Sequence, residues 1–169
     1  METIKAEVKS LSRDEAVILM VESNLQRSKI LPSEKAFAYK MRLEAMKRQA
    51  GRPPQNNLCP LGTNYLGKRS DEVLASESVD SARQIQRYIR LTELLPELLT
   101  MVDEGRIAFR PAVELSYLTE AEQKNLLETI SYEDATPSLA QAIKMKEFSQ
   151  AGKLNADVIL SIMCEQKPN

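Results

Sequence analysis

The placement of proline constrains this chain more than any other sequence feature, because a proline ring interrupts a helix interior but is well tolerated in the first turn. The chain has eight prolines in 169 residues. Four of them stand at or near predicted helix starts: Pro32, Pro96, Pro111 and Pro137. Three more lie together within residues 52–69, and Pro168 lies near the chain end. This pattern predicts an all-α fold.

Helix caps along the chain strengthen this prediction. A capping box, in which Ser or Thr is followed three residues later by Glu, occurs at Ser12 with Glu15 and at Thr119 with Glu122. Further starts are marked by Ser70, by Asp80 or Ser81, by Thr136 before Pro137, and by Asn155, and stops by Gly51, Gly105 and Gly152. Nine helices are predicted: residues 14–22, 32–51, 70–78, 81–91, 96–105, 137–152 and 155–165, and two that begin near 111 and 119. Strand signals are almost absent, so we expect a multi-helix bundle.

The segment 52–69 interrupts this series of helices. It contains three prolines, two glycines and two adjacent asparagines, a composition typical of an exposed loop. A loop of this length is unusual in a compact domain and is often functional. We therefore expect a long exposed connector between the second and third helices.

The composition excludes several classes of function. The chain has no histidine, which excludes a His-based catalytic triad, a zinc site that needs imidazole and a histidine general base. The longest aliphatic run, residues 16–21, is too short to span a bilayer. Cys59 and Cys164 lie far apart, which fits a reducing cytoplasm better than a disulfide scaffold. We expect a cytoplasmic protein that is not an enzyme and holds no metal or other cofactor.

Charge is distributed unevenly along the chain. Residues 26–52 contain eight basic and two acidic side chains, a local balance of +6, whereas residues 93–134 contain ten acidic and three basic, a balance of −7. This division predicts one cationic side suited to a polyanion, and a merely solvated Lys/Arg-rich helix face stays open as the alternative. The candidate phosphate contacts on this basic helix are Lys35, Arg42, Lys47 and Arg48.

Residues 71–90 have the pattern of a helix-turn-helix. In this motif the first helix needs a small residue where the second crosses it, and Ala75 provides one. Apolar residues at inward spacing are Leu74, Val79, Ile85, Tyr88 and Ile89, with the turn at residues 78–80. Val79 replaces the usual turn glycine, and a generic helical hairpin with a charged surface is the alternative that the pattern leaves open.

The outward face of the second helix carries side chains that recognise DNA. At about 100° per residue, Arg83, Gln86, Arg87 and Arg90 share one arc opposite Ile85. Arg and Gln form bidentate hydrogen bonds to guanine and adenine edges in the major groove. Because the N-terminal part of such a helix enters the groove most deeply, we expect the first three to read bases and Arg90 to bind phosphate. Further candidate backbone contacts are Ser81, Lys68 and Arg69.

Two stretches resemble ParB-type chromosome and plasmid partition proteins, the ParB/KorB-like family. Residues 24–27, Asn-Leu-Gln-Arg, and 30–36, Ile-Leu-Pro-Ser-Glu-Lys-Ala, resemble a junction in which Asn-x-x-Arg precedes Leu-x-Pro-x-Glu-x-Ala. Residues 89–96 resemble the Arg-Leu-Leu-x-Leu-Pro ending of the family's recognition helix. Leu99 and residues 104–107 and 112–115 resemble the next two helices, so that the likeness spans residues 17–118.

The resemblance implies a centromere-binding protein. Such proteins form homodimers, bind an inverted repeat in double-stranded DNA through the helix-turn-helix and act with a ParA-type ATPase in DNA segregation, on the nucleoid or a plasmid. The same resemblance divides the chain into the end of an N-terminal domain at residues 1–31, a helix-turn-helix DNA-binding domain at 32–132 and a C-terminal helical extension at 133–169. It also implies that the chain is a fragment of a longer protein.

Many members of this family bind and hydrolyse CTP with magnesium and become sliding clamps, and the resemblance assigns Asn24 and Arg27 to that nucleotide site. This chain departs from the family there, because Ser23 stands at the position of the motif's Glu and no Gly-Glu-Arg-Arg phosphate motif is found. The family's Gly-His-Ala-Arg stretch also reads Arg-Pro-Ala-Val at residues 110–113. CTP use is therefore expected only if the full-length protein completes the site.

Three classes of function stay open at this point. The first is a sequence-specific DNA-binding protein of partition type, or a closely related plasmid replication or transcription regulator. The second is a CTP-dependent DNA clamp, and the third is a helical interaction scaffold that uses the acidic region at residues 93–134. The residues favour the first class, because the outward face of the second helix combines three arginines with a glutamine.

Overall fold

A computed structural model describes residues 8–25, 27, 30–50, 74–75 and 80–165 of the chain. Within these residues there are no strands, and eight α-helices are present: α1 (Arg13–Leu25), α2 (Pro32–Ala50), α3 (Ala82–Arg90), α4 (Pro96–Asp103), α5 (Phe109–Leu115), α6 (Glu120–Glu133), α7 (Leu139–Gln150) and α8 (Ala156–Cys164). A 3-10 turn, Leu91–Glu93, joins α3 to the segment before α4. The all-α prediction is confirmed for the described part of the chain.

One of the nine predicted helices, residues 70–78, is described only at Leu74 and Ala75, and both are helical. The connector predicted at residues 52–69 lies outside the described residues, as do Lys68 and Arg69 within it. The predicted turn at 78–80 is described only at Asp80. The predicted site is therefore described mainly through α2, α3 and the helices that follow them.

Most helix starts follow the predicted caps. The Ser12 amide donates to the Glu15 carboxylate at 2.8 Å and the Glu15 amide donates to the Ser12 hydroxyl at 3.3 Å, which completes the predicted capping box of α1. Thr119 and Glu122 form the second predicted box at α6. The Asn155 side chain accepts from the Val158 amide at 2.8 Å at the start of α8.

Two predicted helix starts are wrong by two residues. α5 begins at Phe109, two residues before Pro111. The proline is tolerated at this third helical position because an N–H there would have no partner within the helix. α7 begins at Leu139 because Ser138 forms a capping box with Gln141. The expected cap, Thr136, instead donates its hydroxyl to the Arg106 carbonyl at 3.0 Å.

The larger hydrophobic core lies among the helices from α4 to α8. α5 packs against α7, and α6 packs against α8. Leu98 of α4, Leu126 of α6, Met145 of α7 and Ile159 of α8 are fully buried in this core, and Ala36 contributes to it from α2. The helices after residue 133 thus share one core with those before it, while the predicted domain boundaries at 31/32 and 132/133 stay predictions.

A smaller core joins α2 to α3. It contains the buried side chains Tyr39, Leu43, Leu74 and Ile85, and the half-buried Tyr88 packs against it. Tyr88 also packs against the larger core. α1 lies along α2, where its Val21 is buried.

Two features are absent from the described residues: a membrane-spanning helix and a cluster of metal-binding side chains. No helix among them combines the length and the apolar character needed to cross a bilayer. The same residues contain no group of three or more Cys, Asp or Glu side chains arranged to hold a metal ion.

The helix stops predicted at Gly105 and Gly152 have the geometry of a Schellman cap. Gly105 has φ +75°, its amide donates to the Val102 carbonyl at 3.0 Å, and the next amide, from Arg106, donates to the Met101 carbonyl at 2.9 Å. Asp134 ends α6 with φ 47° and ψ 36°, the left-handed region that glycine occupies at lower cost.

The left-handed residues Gly105 and Asp134 predict changes of opposite sign in the free energy of unfolding. A Cβ added at Gly105 meets no atom within 4 Å, so Gly105→Ala is opposed only by the left-handed backbone and should lower the free energy of unfolding by about 1 kcal/mol. Asp134→Gly should raise it by about 0.5 kcal/mol, because it relieves the same backbone cost. Urea unfolding of both variants beside the wild type measures the two changes, and equal midpoints for Gly105→Ala and the wild type would contradict this account.

Candidate nucleic-acid interface

Helix α3 has one exposed polar face and one buried face. Arg83, Gln86 and Arg87 are exposed, and we refer to these three residues as the arginine face. Ile85, on the opposite side of the helix, is fully buried against α2. The alternation follows from the spacing of about 100° per residue, which separates the two faces by roughly half a turn.

The start of α3 is fixed by its cap. Ser81 is exposed, and its side chain accepts a hydrogen bond from the Gln84 amide at 3.3 Å. Of the two predicted caps, Asp80 and Ser81, the structure therefore selects Ser81. Its expected role as a DNA contact stays a prediction, since a capping hydroxyl still has a hydrogen to donate.

Asp80 connects the beginning of α3 to α2. Its carboxylate accepts hydrogen bonds from the Lys35 ammonium at 2.6 Å and from the Tyr39 hydroxyl at 2.7 Å. Burial acts to raise the pKa of Asp80, but the hydrogen bonds from Lys35 and Tyr39 and the charge of Lys35 hold that pKa below its ordinary value of 3.8. The approach of α3 to α2 is thus fixed by a charged hydrogen-bond cluster.

Arg90 departs from the position expected for it. On the regular spacing it belongs to the arc of the arginine face, but it is half-buried and donates to the Ser116 carbonyl at 2.9 Å. Its guanidinium lies 4.3 Å from the centroid of the Tyr117 ring. The expectation that Arg90 shares the exposed arc is corrected, because the turn between α5 and α6 covers the last residue of α3.

Two of the four basic residues predicted along α2 have internal partners. The Lys35 ammonium pairs with Asp80 and lies 4.9 Å from the centroid of the Tyr88 ring. Arg42 is only 3% exposed and pairs with Glu22 of α1 at 2.7 Å. The expectation that Arg42 faces outward is therefore corrected, since a buried cation requires a partner of opposite charge or a hydrogen-bond acceptor. The Lys35 side chain is 25% exposed, and its role as a phosphate contact stays a prediction.

The other two basic residues lie at the exposed end of α2. Lys47 is exposed. The Arg48 side chain is 56% exposed, and its Nε donates to Asp14 of α1 at 3.0 Å. An exposed ion pair such as Arg48–Asp14 contributes little to the free energy of folding. Lys47 and Arg48 are therefore both available to an external anion.

Asn24 and Arg27 are both exposed and line a groove of about 250 Å³ between α1 and α2. The groove is mainly apolar, with Met20, Phe37 and Met41 along its walls. Arg27 is the only cation and Glu34 the only carboxylate among the described residues that line it. Among the described lining residues, Arg27 and Asn24 carry side chains that can donate a hydrogen bond to a phosphate oxygen.

Sequence reasoning missed three residues near the end of α3. Tyr117 lies beside Arg90, and Lys146 of α7 places its ammonium 4.0 Å from the centroid of the Tyr117 ring. Gln123 of α6 is 2% exposed and accepts from the Leu95 amide at 2.8 Å. No local signal marks these residues, because each contact joins segments that lie far apart in sequence.

A scan of family models, a search of curated proteins and a search of solved structures each returned no match for this chain. The expected relation to ParB-type proteins therefore depends on the sequence motifs at residues 24–36 and 89–96.

The Asp80 cluster predicts a pH-dependent stability difference. A carboxylate whose folded pKa is depressed contributes stability that is fully present above its unfolded value and is lost as the pH falls through the folded pKa. Asp80→Asn should therefore lower the free energy of unfolding by about 1 kcal/mol at neutral pH. Its difference from the wild type should shrink once the pH falls below 3.8.

Urea unfolding at pH 7, 5 and 3 measures this difference. Asp157→Asn is a matched control, because Asp157 is exposed and makes no side-chain hydrogen bond or ion pair with the described residues. A difference for Asp80→Asn that stays constant from pH 7 to pH 3 would exclude a contribution from the charged form of Asp80.

Proposed function

We propose that this protein binds DNA in a sequence-specific manner, with α3 as the recognition helix of a helix-turn-helix. The observation that carries the proposal is the arginine face: two arginines and a glutamine are exposed together on a short helix that contains no acidic residue. Arg reads guanine and Gln reads adenine by bidentate hydrogen bonds, and both side chains reach base edges from a helix in the major groove.

The small core supports the pairing of two helices that this motif requires. Leu74, which is helical, is fully buried together with Ile85 of α3, and Ala75 packs against the same cluster. A small residue where one helix crosses another permits the close approach of the two backbones. The Lys35–Asp80 pair then holds this unit on α2.

A ParB-type role in DNA segregation is the most specific form of this proposal. It rests on the motifs at residues 24–36 and 89–96. In this role the protein forms a homodimer, binds an inverted-repeat DNA site and has a ParA-type ATPase as its partner. A CTP-dependent clamp is the second candidate, and the described lining of the groove at Asn24 and Arg27 contributes one cation to it.

Base preference tests the recognition helix directly. Arg87→Ala should weaken binding to the preferred site by about 1–3 kcal/mol and relax the choice of one base pair, because a bidentate contact is lost. Affinities for a set of duplexes that carries every single-base substitution in a selected site measure both effects. The preferred site itself is obtained by selecting bound duplexes from a random library.

Two controls separate recognition from charge and from folding. Lys124→Ala removes the same charge from an exposed side chain on α6 and should leave base preference unchanged. Ile85→Ala should cost about 2–5 kcal/mol of stability without altering preference in the fraction that stays folded. If alanine at Arg83, Gln86 and Arg87 leaves the preference profile intact, α3 does not read DNA.

The dimeric form of the proposal predicts a dependence on site symmetry. One helix-turn-helix reads few base pairs, so strong binding at physiological salt should require two copies on an inverted repeat whose half-sites are about 10 base pairs or a multiple apart. Gel shifts with full and half-site duplexes, and sedimentation of the complexes, measure affinity and stoichiometry. Equal affinity for both duplexes with one chain bound would rule out this arrangement.

A further inference from the structure

Two cations from distant helices converge on one aromatic ring at the end of α3. The Arg90 guanidinium lies 4.3 Å from the Tyr117 ring centroid, and the Lys146 ammonium of α7 lies 4.0 Å from it. Tyr117 is 43% exposed, so this ring is accessible from solvent. Both distances are within the range in which a cation is attracted to an aromatic face.

The cluster of Arg90, Tyr117 and Lys146 lies at the C-terminal end of the arginine face. Arg90 follows Arg87 by three residues, so its Cα lies on the same side of α3, about one turn further along. Because Arg90 bonds to Ser116 and contacts Tyr117, the turn between α5 and α6 adjoins the C-terminal end of the arginine face. A DNA strand that passes along α3 in the proposed complex would continue towards this turn.

The cluster retains positive charge. The contacts of Arg90 among the described residues are with a backbone carbonyl and a ring, both uncharged. Lys146 pairs with Glu114 at 2.8 Å, so the cluster contains two cations and one carboxylate. The Tyr117 hydroxyl makes no hydrogen bond with any described residue and can donate to an anionic oxygen.

A neighbouring cleft has two acidic residues in its walls. A cleft of about 340 Å³ lies next to Arg90, and its walls include the carboxylates of Glu93 and Glu120. Each carboxylate has a cationic partner, Lys40 at 3.7 Å from Glu93 and Lys124 at 2.6 Å from Glu120, which weakens its repulsion of an anion in the cleft. The Tyr117 ring is exposed, and the Lys146 side chain is 25% exposed.

We propose that Arg90, Tyr117 and Lys146 form a binding site for one phosphodiester group of the DNA backbone, so that α7 takes part in DNA binding. The phosphate oxygens accept from the Tyr117 hydroxyl and the Lys146 ammonium, while Arg90 supplies charge and holds the ring. The site fixes the position of the duplex along α3 and reads no base. This inference rests on the proposed function.

Lys146→Gln tests the site, with Lys144→Gln as its matched control. Lys144 lies two residues earlier on the same helix, pairs with Glu165 and loses the same charge in the variant. Lys146→Gln should weaken binding about three- to tenfold on every duplex in the set, without a change in base preference. It should also reduce the magnitude of the slope of log affinity against log salt by about 0.9, the value for one phosphate contact. Lys144→Gln should change neither quantity.

Tyr117→Phe keeps the test informative if Lys146→Gln disturbs folding. The phenyl ring preserves both cation contacts and removes only the hydroxyl, so the urea midpoint should stay unchanged while affinity falls about twofold to fivefold on all duplexes. Single methylphosphonate substitutions along the duplex backbone then locate the phosphate. At one position the neutral linkage should weaken binding by the wild type, and the loss should be smaller for Tyr117→Phe, in which Lys146 is the remaining hydrogen-bond donor to that phosphate.

The outcomes distinguish the two proposals. If the wild type binds no duplex in the selected library, the proposed function is overturned and this site with it. If the wild type binds, but Lys146→Gln matches Lys144→Gln and Tyr117→Phe matches the wild type, only the phosphate site is overturned.

Discussion

The position of Tyr88 between the two hydrophobic cores determines which side of α3 faces outward. Its ring centroid lies 5.9 Å from that of Tyr39 in the small core and 4.7 Å from that of Phe109 at the start of α5. Tilted aromatic contacts of this kind add to the free energy gained by burying the rings. With Tyr88 and Ile85 held on the inner side, the helical spacing leaves Arg83, Gln86 and Arg87 on the outer side.

The basic residues of α2 show that a count of charges in a sequence overestimates a cationic surface. Arg42 neutralises Glu22 in the contact between α1 and α2, and Lys35 neutralises Asp80 between α2 and α3. Each pair compensates the charge of a cation and fixes the approach of two helices, because an unpaired buried charge would be costly. Only the far end of the helix, at Lys47 and Arg48, presents charge to solvent among the four predicted contacts.

Local signals predicted the helices well because caps and stops act within a few residues. The boxes at Ser12 and Thr119 and the glycine at 105 need no knowledge of the tertiary fold. The predicted start of α7 at Pro137 was wrong because Ser138 with Gln141 forms a box of the same kind two residues later. For the candidate site, spacing predicted the exposure of Arg83, Gln86 and Arg87, whereas the partners of Arg90 and Lys146 depend on packing between distant helices, which periodicity does not encode.

Gln123 explains how the end of α3 is held relative to the C-terminal helices. Its amide group donates to the carbonyls of Glu93 and Leu118 and its oxygen accepts from the Leu95 amide, so one buried side chain joins the segment after α3 to the turn before α6. The bond to the Leu118 carbonyl is buried and the other two are partly buried, so loss of this side chain would leave backbone groups poorly satisfied. Because the same turn carries Tyr117, the distance from the arginine face to the proposed phosphate site is set inside the protein. A duplex that binds both would therefore meet a preformed surface, and less of the binding free energy would be lost in ordering it.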